Sequence, residues 1–176
     1  SCVHVDLKQA HASFKTADSN SEYTIEADVI FGTDGAGSVV RQQMEKERGF
    51  LFSHSQDFLT HGYKELTIPA TAAGEFAMDP NALHIWPRGK FMLIALPNPD
   101  KSFTCTLFLP FDGTKVCFDK INDDQDLESV FKNYFDDAYQ LMPKLKSEFF
   151  KNPTSALINV ECYPWVQGQS LLLGDA

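Results

Sequence analysis

The stretch "VIFGTDGAGSVVRQQM", residues 29–44, sets glycines at 32, 35 and 37 and an aspartate at 34 between an apolar run and a helix-like segment. Its spacing, G-x-x-G-x-G, departs from the G-x-G-x-x-G of a dinucleotide-binding turn. Gly35 and Gly37 are expected to permit positive φ and a close backbone approach to a ligand. Ser38 stands where an N-cap belongs, so a helix from Val39 would offer N–H groups to an anion or a polar oxygen. The Asp34 carboxylate repels phosphate but accepts from hydroxyls, which favours a ribose or ribityl edge over a bare phosphate. Arg41, one turn into the helix, is placed to reach Asp34 or a ligand phosphate. Taken alone, the loop reads as a plain strand–turn–helix corner, because short glycine motifs are weak signals. The far end changes the weighting. "SLLLGDA", residues 170–176, is a second apolar strand ending in an acidic glycine turn. Two such strand ends are expected to converge on one polyhydroxylated ligand at the carboxyl edge of a sheet.

Around this stretch, 176 residues suit one domain or slightly more, with 43% hydrophobic and 22% charged residues. A net charge of −9 argues against a nucleic-acid partner, since little would neutralise a phosphate backbone. No run approaches the length of a membrane span, and no signal pattern opens the chain. Cys2, Cys105, Cys117 and Cys162 lie far apart and read as reduced thiols of an intracellular protein. The histidines show no metal-ligand spacing. The opening on "SCVHVDL" without an initiator Met and the close on Gly-Asp-Ala suit a piece of a longer polypeptide.

Residues 1–16 read as an edge hairpin, with "TADSNSE" as its polar turn, and "YTIEADVIF" (23–31) as one strand that becomes buried. "SVVRQQMEKER" reads as a short helix and 50–68 as strand. Residues 82–111 hold three strand-like runs separated by "PRGK" and "PNPDKS", an antiparallel meander. "DDQDLESVFKNYFDDAYQLMPKLKSEFFKN" is helical, capped by Asp124 and kinked or restarted at Pro143. Residues 156–162 and 169–173 return to strand. The fold class is α+β: a large, mostly antiparallel sheet backed by helices.

These residues carry a resemblance. "DVIFGTDGAGSVVR" is similar to the Asp-Gly fingerprint of the class A flavoprotein aromatic hydroxylases, D-G-x-x-S-x-x-R, and "SLLLGDA" to their later Gly-Asp fingerprint. "HGYKEL", "NALHIWPRGKFMLIALPN" and "SFTCTLFLPF" resemble the kynurenine-hydroxylating branch. The resemblance implies a p-hydroxybenzoate-hydroxylase-like fold in which 1–48 and 166–176 belong to an FAD-binding domain and 49–165 to a substrate domain. It implies FAD as cofactor, NADPH as transient co-substrate, O2, and an aromatic amino acid, L-kynurenine, as the molecule hydroxylated in tryptophan degradation towards NAD. The cofactor-binding positions it matches are Asp34, Gly35, Arg41, Gly174 and Asp175. No catalytic side chain is implied, because the cofactor carries the chemistry. The family's first glycine fingerprint and the residues that hold the substrate's amino-acid head find no match in this chain, so the segment alone is expected to be inactive and to bind FAD weakly or not at all. The expected location is cytoplasmic in a bacterium, or the cytosolic side of the mitochondrial outer membrane in a eukaryote.

Period-two alternation puts Met92, Ile94 and Leu96 on one face of their strand, and Thr104, Thr106 and Phe108 on one face of the next. The resemblance implies substrate contact for Leu83, Met92, Ile94, Leu96, Thr106 and Phe108, whereas alternation alone reads them as ordinary core. His84, Trp86 and Cys105 take the opposite faces, and Asp136 and Asp137 read as a solvated helix surface. Two other readings stay open: a hydroxylase of another aromatic substrate, and a non-redox small-molecule-binding module.

Overall fold

A computed structural model describes residues 1–49 and 51–176. Among them the strands are β1 (Cys2–Asp6), β2 (His11–Lys15), β3 (Glu22–Glu26), β4 (Ile30–Gly32), β5 (Ser53–Ile68), β6 (His84–Pro87), β7 (Met92–Pro97), β8 (Phe103–Pro110), β9 (Ser155–Tyr163), β10 (Val166–Gln167) and β11 (Ser170–Leu172). The helices are α1 (Val39–Lys46), α2 (Asp124–Tyr134), α3 (Asp136–Tyr139) and α4 (Leu145–Lys151). The chain divides into two compact units, Ser1–Asp57 with Ile158–Ala176, and Phe58–Leu157. These bounds differ from the expected 1–48, 49–165 and 166–176, because the long strands β5 and β9 each run from one unit into the other.

The first unit holds an antiparallel sheet of order β1-β2-β3 and a second of order β10-β11-β4, in which β11 runs parallel to β4. The hairpin expected over 1–16 is present, but its turn lies at residues 7–10 and not in "TADSNSE", which links β2 to β3 and extends the hairpin into a meander. "YTIEADVIF" is not one strand. The Ala27 N–H turns to the carbonyl of Ala10, while the Ile30 N–H goes to Gln169, so β3 and β4 join different sheets. Nor is the run buried: β3 is exposed throughout and Phe31 is 59% exposed. The polar break at Glu26-Ala27-Asp28 ends one ladder before the apolar residues begin another. Helix α1 forms where expected, and its Val40 and Met44 pack with Val5, Leu7, Leu172 and Ala176.

The second unit is built on a five-stranded sheet of order β6-β7-β8-β5-β9. Its three described registers are antiparallel, β6 on β7, β7 on β8 and β8 on β5, and the first two are the meander expected over 82–111. Leu93, Ala95, Phe103, Cys105, Leu107 and Leu109 are fully buried in one core with Leu127, Phe131 and Phe135 of the helical segment and with Leu145 and Phe149 of α4. Asp123, not Asp124, caps α2, its carboxylate accepting from the N–H groups of Gln125 and Asp126. The helix first breaks at Phe135, before Pro143, and the non-helical backbone there lets both Phe131 and Phe135 enter the core. Asp137 is not simply solvated, since its carboxylate accepts from the Trp86 indole at 2.8 Å.

Helix α4 is tied to β5 by side chains. Buried Lys64 donates to the carbonyls of Phe149 and Asn152, both at 2.8 Å, so its cation sits at the helix's negative end. Burial lowers its pKa. The Thr67 N–H donates to Glu148 at 2.8 Å, and the Asn152 amide donates to the Glu65 carbonyl at 2.7 Å.

Cys105 reports on the dryness of this core. Burial raises its thiol pKa from 9.0 to about 12. The raised folded-state value favours the protonated thiol, so its contribution is complete below pH 9 and is lost as pH rises through the window from 9 to about 12. Between pH 9 and 10 the loss is about 1 kcal/mol. Urea titrations across that window should show this fall in the wild-type chain and its absence from the slope of Cys105→Val. Equal slopes would mean that the thiol meets water.

Candidate functional site

The registers settle which side chains share a face. Met92 pairs with Phe108, Ile94 with Thr106 and Leu96 with Thr104, so the two expected rows lie side by side. β6 adds Ile85 opposite Ile94, with Leu83 on the same side by alternation, and β5 adds Tyr63 opposite Phe108 and Glu65 opposite Thr106. This is the face turned away from the helices. Reading these positions as ordinary core is therefore incorrect: Met92 is 37% exposed, Leu83 50% and Leu96 48%, while their chain neighbours Leu93 and Ala95 are fully buried. The helix-facing side leaves this one without a layer of its own within the second unit. His84 and Trp86 take the opposite side, as expected, His84 setting its ring edge-on to Phe103.

Met92 and Phe108 line a pocket of about 290 Å³ with Leu59, His61, Phe91 and Leu157. Its walls are mostly apolar. The Phe108 ring lies 6.2 Å from that of Tyr63, a tilted aromatic pair. His61 is fixed from both ring nitrogens, by the Thr60 hydroxyl at 3.2 Å and the Lys90 carbonyl at 2.8 Å. The structure thus brings Met92 and Phe108 into one cavity, while Ile94, Leu83, Leu96 and Thr106 continue the same face outside it. Sequence reasoning missed His61, Tyr63 and Glu65. Alternation through "HGYKEL" puts these three on one face, but only the pairing of Tyr63 with Phe108 shows which face that is.

In the first unit, β4 and β11 are adjacent and parallel, with Gly32 opposite Leu172. The loops carrying Asp34 and Asp175 therefore leave the same edge, as the repeated strand–Gly/Asp pattern predicts. Both aspartates are exposed. Gly35 and Gly174 adopt φ of +74° and +70°, the region that disfavours side chains, and space beyond both is open. Gly37 does not use positive φ, correcting one expectation, although a side chain there would also meet open space.

The helix start differs from the expected free anion site. Asp34 Oδ2 accepts from the Val39 N–H at 2.7 Å and Ser38 Oγ from the Arg41 N–H at 3.1 Å, so side chains already occupy two of its donors. Arg41 does not reach Asp34. It is 2% exposed and its Nη2 donates to the Ala36 carbonyl beneath the loop. Its Nε and Nη1 are buried without a hydrogen-bond partner among the described residues. Exposed carboxylates beside open glycines fit the hydroxyls of a polyol, and the orphaned guanidinium donors fit an acceptor that none of the described residues supplies. Among the described residues no cluster of metal-ligating side chains occurs, and no helix is long and apolar enough to cross a membrane.

No family model matches the chain. Individual proteins do. It is 51% identical over 177 residues to the kynurenine 3-monooxygenase of Dictyostelium discoideum, a match covering 99% of this chain and 37% of that protein. It is 52% identical over 149 residues to that of Myxococcus xanthus (84% and 32%) and 46% over 155 residues to that of Sus scrofa (86% and 31%). The chain thus spans about a third of the length of these curated relatives. Among solved structures, a tetrameric form of 2-methyl-3-hydroxypyridine-5-carboxylic acid oxygenase superposes with a TM-score of 0.65 at 18% identity, over 99% of this chain and 43% of that one. Tetracycline destructase Tet(51) superposes at 0.51 and 13% identity, over 99% and 45%. At such identities these two show the fold alone.

The orphaned guanidinium yields a test. A buried cation with unpaired donors costs stability until a partner arrives, so Arg41→Met should leave the ligand-free chain as stable as the wild type or more so. Chemical denaturation checks this. A loss of about 3–5 kcal/mol would mean that the guanidinium is already fully paired.

Proposed function

Because the chain belongs to the kynurenine 3-monooxygenase family over the third of its relatives' length that it spans, we propose that it supplies the substrate-ring wall and two cofactor-edge loops of an FAD- and NADPH-dependent monooxygenase that hydroxylates L-kynurenine. The observation that carries this reading is the open sheet face on which Phe108 and Met92, register partners on adjacent strands, line an apolar pocket.

An aryl ketone bearing an amino-acid head needs an apolar wall for its ring and polar groups for its head. Phe108 and Met92 provide the wall at the pocket, and Leu83, Ile94, Leu96 and Thr106 extend it along the sheet. An aromatic side chain in such a wall contributes about 0.5–1.5 kcal/mol beyond area burial. The apolar surface also excludes water from the ring. At the carboxyl edge of β4 and β11, Asp34 and Asp175 accept from ribose and ribityl hydroxyls of FAD, Gly35 and Gly174 let the backbone approach, and Arg41 supports the first loop from below. When bound, FAD supplies the oxygen activation, with electrons from NADPH. The chain's own residues hold the ring in place and keep it dry.

In the polypeptide that carries this segment at its relatives' length, Phe108→Ala should weaken kynurenine binding and separate NADPH consumption from product formation, because a loosely held ring misses the geometry the reaction requires. Parallel assays of NADPH oxidised and hydroxylated product formed measure the ratio. Unchanged coupling and unchanged affinity would make Phe108 a packing residue only.

A further inference from the structure

On the open face, Glu65 stands out chemically. Cross-strand registers put it in one row with Thr106, Ile94 and Ile85, next to the row of Tyr63, Phe108 and Met92. It is exposed, and among the described residues no hydrogen-bond donor and no cation meets its carboxylate. Its neighbours in the registers with β8, β7 and β6 are methyl, hydroxyl and aromatic groups. Its backbone is held firmly: the Glu65 carbonyl accepts from Asn152 at 2.7 Å, the Thr67 N–H goes to Glu148, and buried Lys64 anchors the same strand to α4. A strand locked on its far side thus presents an unpaired acceptor one register row from Phe108 of the pocket, outside the pocket's own lining.

We propose that Glu65 recognises the ring amine of the substrate. The inference rests on the reading of this face as the kynurenine site. Kynurenine carries its amine on the ring carbon next to the ketone. One N–H bonds internally to that ketone, and the other points outward, towards the ring carbon that the oxygen atom joins. A carboxylate accepting this outer N–H makes a charge-assisted hydrogen bond. It fixes which ring edge faces the reacting side and strengthens electron donation from nitrogen into the adjacent carbon. The same charge repels the substrate's α-carboxylate, so the amino-acid head lies away from Glu65. Thr106, the direct cross-strand partner, has its Cβ within about 4.5–5.5 Å and spaces the ring from the sheet. Glu65 is thereby a specificity residue: it selects a ring with an amine donor over one with an acceptor or no substituent at that position.

The test compares kynurenine with its analogue lacking the ring amine, 2-amino-4-oxo-4-phenylbutanoate, binding to the polypeptide at its relatives' length with FAD bound. Glu65→Ala should weaken kynurenine on the order of tenfold and leave the analogue within about twofold. Glu65→Gln, which keeps an acceptor without the charge, should recover part of the loss for kynurenine only. An equal change for both ligands, or no change for either, overturns the role assigned to Glu65 while leaving the kynurenine site intact. Failure of the wild type to bind either ligand overturns the reading of the site itself, and the role of Glu65 with it.

Discussion

The two-residue period of β8 governs the second unit. Phe103, Cys105, Leu107 and Leu109 give one face of that strand entirely to the helices, so every group on the other face must find its environment elsewhere. A slip of one residue in pairing would turn Thr104, Thr106 and Phe108 into the helical core and expel the leucines. The registers with β7 and β5 fix this arrangement across three strands, and the site inherits its composition from it. Met92, Ile94 and Phe108 are not surplus core residues. They are what remains when an apolar strand has spent only half its side chains on the interior.

The hydrogen bonds between α4 and β5 serve the same end. Lys64, Glu148 and Asn152 hold the helix against the strand through backbone groups, so the face carrying Tyr63 and Glu65 is positioned from behind. A buried ammonium is costly unless its donors are met. Here two carbonyls at the end of α4 and the Phe149 ring, 4.8 Å from Nζ, meet them. The first unit uses charge differently. Asp34 and Ser38 close the start of α1, and two buried donors of Arg41 meet no partner among the described residues.

Much of this was legible in the sequence, for reasons tied to particular residues. The meander of β6, β7 and β8 follows from apolar runs punctuated by "PRGK" and "PNPDKS", and the common edge of the Asp34 and Asp175 loops from the repeated strand–Gly/Asp ending, whereas the parallel pairing of β4 with β11 came only with the structure. What alternation could not supply was register. It grouped Met92 with Ile94, and Thr106 with Phe108, but did not bring in Tyr63 and Glu65, whose partners lie some forty residues away along the chain. Nor could apolarity alone separate burial from a split strand in "YTIEADVIF", because the ladder change at Ala27 depends on Ala10 and Gln169, remote in sequence. Arg41 was expected at the ligand because its position in the helix is right. Its side chain instead turned under the loop, where the Ala36 carbonyl captured it.

Whether one face of the β7–β8 pair meets an aromatic substrate while the other stays sealed by helices can be measured directly. Methyl NMR of the polypeptide at its relatives' length, titrated with kynurenine, reads both faces in one spectrum. Ring-current shifts are expected at the methyls of Met92, Ile94 and Thr106, with those of Leu93 and Leu107 nearly still. Shifts concentrated on Leu93 and Leu107, or spread equally over both sets, would contradict this assignment of the two faces.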